Sequence, residues 1–219
     1  VSICDIDSET GEQISEELGA KYGRKNVLFC QCDVTDYPQY EGTHLTIITH
    51  LNFGQSTSSL CTVTTQFDVT FVWTKYVFNR LDIVINNAGV MNDRFWELEV
   101  DVNLVSTRAS RYLLKNIKTT NYLIINVKLR YRGGQGGVIV NTASTAFTRP
   151  QVSTPIYTAT NYAVDQYHVS LTGVRSIVIC PGMTDTEHVG RALIEILTKG
   201  QSGSVWIVEN GQPAREWRG

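Results

Sequence analysis

Short runs of aliphatic and β-branched residues recur along this chain with helical patterns between them, and that alternation restricts the fold more than any other feature. The runs are VSIC at 1–4, VLFCQC at 27–32, LDIVI at 81–85, VIVNT at 138–142, VRSIVIC at 174–180 and SVWIV at 204–208. Such an order argues for a parallel sheet covered by helices on both faces, a doubly wound α/β fold in three layers. Between the first two runs, Gly11, Ile14, Leu18 and Tyr22 repeat at helical spacing among Glu12, Glu16, Glu17 and Lys21, which predicts an amphipathic helix. Near the other end, Val189, Leu193, Ile196 and Leu197 make one helical face before Lys199-Gly200 stops it.

Two stretches break the pattern. Residues 42 to 66 contain no Asp, Glu, Lys or Arg, are crowded with Ser and Thr, and keep neither a period of 2 nor one of 3.6. A loop that long is foreign to a compact domain, so the segment reads as a surface insertion or as translated non-coding sequence lying outside the core. Residues 116 to 131 add a strand-like run before a Gly-rich turn and admit the same two readings. The remainder suits one domain over 1–219: 42% of the residues are hydrophobic and 18% charged. With 19 basic against 21 acidic residues and no block of like charge, neither nucleic acid nor an anionic membrane is an expected partner. No apolar run reaches the roughly 20 residues that span a bilayer, and no targeting peptide is recognisable at Val1. Five scattered cysteines (Cys4, Cys30, Cys32, Cys61, Cys180) read as buried thiols in a reducing, cytoplasmic setting, and the Cys30/Cys32 pair has no histidine nearby to complete a metal site.

Chemistry concentrates where the strand-like runs end. Asp5 closes the first run ahead of a helix; an acidic side chain there accepts hydrogen bonds from adenosine ribose hydroxyls and repels a 2′-phosphate, favouring NAD over NADP. The competing reading makes it a helix cap, a role open also to Asp7 or Ser8. Asp33 in C-D-V could bond an adenine amino group, with the backbone of Val34 against the ring. N-N-A-G at 86–89 sets amides and a permissive glycine at a strand's carboxyl end, where such sheets bind ligands, although a plain strand-exit turn would look alike. G-G-Q-G-G at 133–137 precedes a strand instead of opening a helix, so it is a turn and not a phosphate loop. Ser144 and Tyr157, thirteen residues apart, offer a hydroxyl and a phenol suited to carbonyl chemistry, one holding the oxygen while the other exchanges its proton. From residue type alone they could equally be packing residues.

Taken in order, N-N-A-G, D-V-N-L with Asn103, the Ser144 to Tyr157 spacing and I-C-P-G-M-T at 179–184 resemble the short-chain dehydrogenase/reductase family. QCDVTD, RLDIVINNAGVMN and GVRSIVICPGMTDT look closest to its 15-hydroxyprostaglandin dehydrogenase and insect-type alcohol dehydrogenase branch. The resemblance implies a Rossmann-like fold with Tyr157 as general base toward the alcohol, Ser144 steadying the substrate oxygen and Asn103 positioning a water in the proton relay. It further implies that Asp5, Asp33, Val34, Asn87, Ala88 and Gly89 line the adenosine half of NAD. Pro181, Gly182, Met183 and Thr184 would line the nicotinamide half, with Tyr157 also touching the cofactor. The implied reaction is hydride transfer between NAD and a secondary alcohol or ketone, in a homodimer paired through helices at 67–78 and about 95–115.

The chain departs from that pattern in three ways. The first strand of the family and its Gly-rich turn, which seat a pyrophosphate on a helix N-terminus, would precede Val1 and are expected to be lacking. Asn161 stands where the family carries a lysine four residues after the reactive tyrosine, so the position can hydrogen-bond but supplies no charge to lower a phenol pKa from about 10. T-D-T at 184–186 runs into the last helix without room for a substrate-covering loop. Impaired turnover is the expectation, and a non-catalytic relative that keeps the fold for dimerisation or partner binding is the alternative.

Overall fold

The computed structural model describes residues 1–35, 82–105, 137–149, 151–165 and 174–218. They fall into two compact units, residues 1–35 in one and the rest in the other. The stretches at 42–66, 67–78 and 116–131, Cys61 and the first four residues of G-G-Q-G-G lie outside the described residues.

In the smaller unit, β1 (Ser2–Asp5) pairs in parallel with β2 (Leu28–Gln31), Asp5 opposite Gln31, and α1 (Ser8–Tyr22) crosses between them. Asp7 caps α1, accepting hydrogen bonds from the Thr10 N–H (3.1 Å) and hydroxyl (2.7 Å); the hydroxyl bond is the main reason its carboxyl lies below the ordinary value. A 3-10 turn (Arg24–Asn26) follows Gly23, whose φ of +96° ends the helix where a side chain would be strained. Only part of the α1 face that the periodicity predicts is buried. Gly11 and Gly19 are buried with Leu18 beside them, while Ile14 and Tyr22 are exposed. Packing decides this: a Cβ on Gly11 would run into the Phe29 ring of β2, so the helix seats Gly11 on the sheet and Gly19 against Arg24, with Ile14 and Tyr22 turned outward.

The larger unit holds a five-stranded sheet in the order β3 (Ile83–Asn86), β4 (Gly137–Thr142), β5 (Val174–Pro181), β6 (Val205–Val208) and β7 (Arg215–Trp217). Strands β3 to β6 are parallel, with Asn86 opposite Asn141 and Val140 opposite Ile177, and β7 is antiparallel. Side chains on β5 alternate between faces. Ile177 and Ile179 pack with Ala192 and Ile196 of α4 (Thr186–Lys199), while Val178 and Cys180 pack with Phe147 and with Val164 of α3 (Pro155–Asp165). Both faces are therefore covered, as parallel strands require. On the α3 side lies α2 (Trp96–Val100), entered through a 3-10 turn (Asp93–Phe95) and continued by a π turn (Asp101–Val105).

The α4 face matches its periodicity, with Asp185 as N-cap. Its far end is closed by Arg175, whose guanidinium donates to the carbonyls of Leu197 (2.8 Å) and Gly200 (2.6 Å). Strand β7 went unread in the sequence, and its signal was the Asn210-Gly211 dipeptide. Both residues have positive φ (55° and 66°) and Gln212 N–H returns to Glu209 O, the mirror-image turn that fits a hairpin. The expectation of buried cysteines holds for Cys32 and Cys180, is half met by Cys30, and fails at Cys4, which is exposed near the chain's start.

Because Ile177 is fully enclosed between β5 and α4, Ile177→Ala should cost about 2–5 kcal/mol in urea unfolding. Ile194→Ala, on the exposed face of α4, should change stability by no more than about 0.5 kcal/mol.

Candidate functional site

Parallel pairing brings the exits of β3, β4 and β5 to one edge of the larger sheet, and most of the residues singled out in the sequence sit there. At the β3 exit, Asn86 Nδ2 donates to Asn141 Oδ1 across the paired strands (2.8 Å), and the Thr142 hydroxyl donates to Asn87 Oδ1 (3.1 Å). Asn87, Ala88 and Gly89 are exposed. The loop they form is pinned at its end by Asn103 from the π turn: Oδ1 accepts from Val90 N–H (2.8 Å) and Nδ2 donates to Val90 O (2.9 Å), the pair of bonds a neighbouring strand would make.

The other Nδ2 hydrogen of Asn103 goes to Thr160 Oγ1 (3.2 Å), and that hydroxyl donates to the carbonyl of Tyr157 (3.0 Å). A bonded path thus runs from the β3 loop to the backbone of Tyr157. Both N–H groups of the Asn103 amide are consumed in it, so what this side chain can offer a water is an acceptor and not a donor. Ser144 caps the 3-10 turn Thr145–Phe147 by accepting from Ala146 N–H (3.2 Å), which leaves its hydroxyl hydrogen able to rotate. Tyr157 is half-buried in the first turn of α3. Asn161, buried one turn on, donates Nδ2 to Tyr157 O (2.8 Å), so this amide bonds back to its own helix.

At the β5 exit Pro181 ends the strand and Gly182 N–H reaches Val208 O (2.8 Å). A Cβ on Gly182 would lie 2.8 Å from Glu209 Cβ and 3.1 Å from Thr145 Oγ1, so glycine is required by close approach. Met183 is almost wholly exposed, whereas Thr184 Oγ1 is enclosed without a hydrogen-bond partner among the described residues. In the smaller unit, Asp5 at the end of β1 accepts from Asp7 N–H (3.0 Å); since Asp7 is the cap of α1, the alternative reading of Asp5 as that cap does not hold. Asp33 Oδ1 accepts from the Thr35 N–H (2.8 Å) and hydroxyl (2.7 Å), closing a local turn that includes Val34. Among the described residues no group of three or more His, Cys, Asp or Glu side chains could hold a metal ion.

Three residues of this region were missed in the sequence. Asp93 accepts from the N–H groups of Ile156 (2.7 Å) and Tyr157 (3.2 Å), capping α3 from more than sixty residues away. Glu99 is fully buried; desolvation, helped by the neighbouring Asp93 charge, raises its pKa above the ordinary glutamate value, while a bond from Asn92 N–H (3.3 Å) opposes the shift. Thr160 completes the path to Tyr157. No local pattern marks any of them: Asp93 and Thr160 work through partners distant in sequence, and Glu99 is set apart by its burial.

Removing the hydroxyl in Thr160→Val takes the acceptor from an Asn103 N–H in a buried place, while Tyr157 O keeps its bond from Asn161 Nδ2. It should lower stability by about 1–3 kcal/mol in thermal or urea unfolding, and Thr160→Ser should recover most of that loss.

The family described as short chain dehydrogenase matches residues 59–195. The chain is similar to the 15-hydroxyprostaglandin dehydrogenase [NAD(+)] of Macaca fascicularis, 28% identical over 215 residues, covering 94% of this chain and 65% of that protein. It is also similar to alcohol dehydrogenase 2 of Ceratitis cosyra, 30% identical over 114 residues, covering 48% of this chain and 40% of the relative. Among solved structures, a short chain dehydrogenase from Mycobacterium avium superposes with a TM-score of 0.69 at 16% identity, over 100% of this chain and 75% of that one. The chain therefore spans slightly less than two thirds of the length of the curated relative it matches over most of its own sequence.

Proposed function

The chain belongs to the short-chain dehydrogenase family, and from that premise we propose that it is an NAD-dependent oxidoreductase acting between a secondary alcohol and its ketone, with low turnover. The observation that carries this reading is the bonded path from the β3 loop through Asn103 and Thr160 to Tyr157, which ties a candidate proton acceptor to the sheet edge where ligands of such folds bind. On this reading Tyr157 takes the alcohol proton and Ser144 donates its hydroxyl hydrogen to the substrate oxygen. Asn103 holds the loop and the helix in register, and presents an oxygen to a water of the proton relay.

Bound NAD would supply the hydride acceptor. Two features support a fit to it. The enclosed, unpartnered Thr184 hydroxyl suits a carboxamide, beside Pro181, Gly182 and Met183. Asp5, relieved of capping, offers a carboxylate to ribose hydroxyls, with Asp33 and Val34 after the paired strand β2 for the adenine. Asn87, Ala88 and Gly89 are the exposed backbone of the loop that Asn103 pins. Low turnover follows from Asn161, which brings no cation to the phenol and spends an amide hydrogen on its own helix.

Phe95, Trp96 and Leu98 are exposed to about half their surface, and this apolar group supports pairing of two copies through the region of 95–115; the residues from 106 onward and the helix at 67–78 lie outside the described residues. No helix among the described residues is long and apolar enough to cross a membrane, and a cytoplasmic location fits the cysteine usage.

NAD should bind at least about tenfold more tightly than NADP, a difference of roughly 1.4 kcal/mol, and Asp5→Ala should narrow it; equal affinities in a fluorescence titration would remove Asp5 from the site. In an assay of NAD-dependent oxidation of secondary alcohols at pH 7, Asn161→Lys should raise turnover by roughly 10- to 100-fold and Tyr157→Phe should abolish it. A Tyr157→Phe protein as active as its parent would end the reading of this phenol as the base.

A further inference from the structure

We propose that Glu99 is a positioning residue: from its buried seat on α2 it holds the Asp93 carboxylate across the N-terminus of α3, and so fixes the helix that carries Tyr157. Two sets of bonds make the connection. Glu99 Oε1 accepts from Asn92 N–H (3.3 Å), anchoring the chain where it enters the 3-10 turn. One residue on, the two oxygens of Asp93 accept from Ile156 (2.7 Å) and Tyr157 (3.2 Å), N–H groups that have no partner inside their own helix. Pro155 opens that helix with no N–H to satisfy, so Asp93 meets the next two donors in line.

Glu99 is an unusual group to bury for packing alone. Its residue is wholly enclosed, and Oε2 finds no donor among the described residues. An ionised carboxylate in that position would be desolvated beside a second negative charge, and both effects favour the neutral acid. A neutral Glu99 carries a hydrogen that Asp93 can accept, whereas an ionised one repels it. Among the described side chains, the charged and titratable groups on its own and the neighbouring elements are Glu97 of α2, Asp93 and Arg94 of the 3-10 turn, Asp101 of the π turn, and Tyr157 and Tyr162 of α3; of these, Asp93 acts on Glu99.

The sign of the pH effect follows. With the folded value raised above the unfolded one, the contribution of Glu99 is complete below the ordinary glutamate range near 4.3 and is lost as pH rises through the folded value. The hold on α3 should loosen in the same direction.

The inference rests on the reading of Tyr157 as the reactive phenol, yet its test needs no turnover. Amide hydrogen exchange is followed at Ile156 and Tyr157 from below the ordinary glutamate value, about pH 4, to about pH 8.5, as protection relative to intrinsic rates, in the parent, Glu99→Gln and Glu99→Ala. Glutamine keeps a neutral donor at all these pH values, so Glu99→Gln should retain the low-pH protection of the parent and abolish its decline with pH. Glu99→Ala should lose about tenfold in protection at both amides even at the lowest pH. Equal protection in parent and Glu99→Ala, or a Glu99→Gln as damaged as the alanine variant, would overturn the proposal. Should Glu99→Ala fail to fold, the comparison of parent with Glu99→Gln decides, since parallel pH profiles would overturn it too. If exchange behaves as expected but no alcohol is oxidised, Glu99 still positions α3 and the dehydrogenase reading falls; if Tyr157-dependent turnover is present and exchange is indifferent to Glu99, the reverse holds.

Discussion

The pairing of β4 with β5 is the contact on which the larger unit depends. Six residue pairs in parallel register, from Gly137 opposite Val174 to Thr142 opposite Ile179, place both strands in the interior. Because their side chains alternate, four consecutive residues of β5, Ile177 to Cys180, build two cores, one against α4 and one against α3 and Phe147. Within the larger unit, the strand exits discussed as part of the candidate site are those of β3, β4 and β5. Had the register slipped by one residue, each apolar side chain would change face and the loops would exit at a different height.

Strand exits are irregular backbone, and buried irregular backbone has to find partners outside secondary structure. In this protein side-chain amides and carboxyls supply them. Asn103 does for Val90 what a neighbouring strand would have done, and Asp93 does for α3 what a local cap does in α1 and α4, where Asp7 and Asp185 serve. The difference matters to function. A local cap stabilises its own helix, whereas a cap from a separate segment also fixes where that helix lies relative to the segment. The helix bearing Tyr157 is held in the second way, from Asp93 at its first turn and from Asn103 through Thr160 at its second.

The hairpin at the sheet's end shows a different solution. Trp217 of β7 packs edge-on against Phe147 (5.9 Å between centroids), giving the turn after Ser144 an aromatic wall. Behind Gly182, Glu209 sits between Arg149 (3.5 Å) and Arg215 (3.3 Å), where the β6–β7 turn meets the exit of β5. These contacts leave no space for a larger residue at 182, so P-G-M-T keeps its glycine for a packing reason beside any part it plays toward a ligand.

What the sequence determined by itself was everything that rests on local periodicity and residue chemistry. Six strands were legible because apolar β-branched runs have few alternatives, α4 because its apolar spacing is regular, and the short-chain dehydrogenase family because its motifs occur in order. That Gly11 of the expected α1 face is buried while Ile14 and Tyr22 of the same face are exposed was decided only by packing, with Gly11 lying against Phe29, because burial there is set by shape and not by pattern. The hairpin to β7 was legible in Asn210-Gly211 and went unread. Asp93, Glu99 and Thr160 are of another kind. Their chemistry arises when segments about sixty residues apart come within hydrogen-bond distance, or when a carboxyl loses its water, and neither burial nor long-range proximity is written in the identity of a residue and its neighbours in sequence.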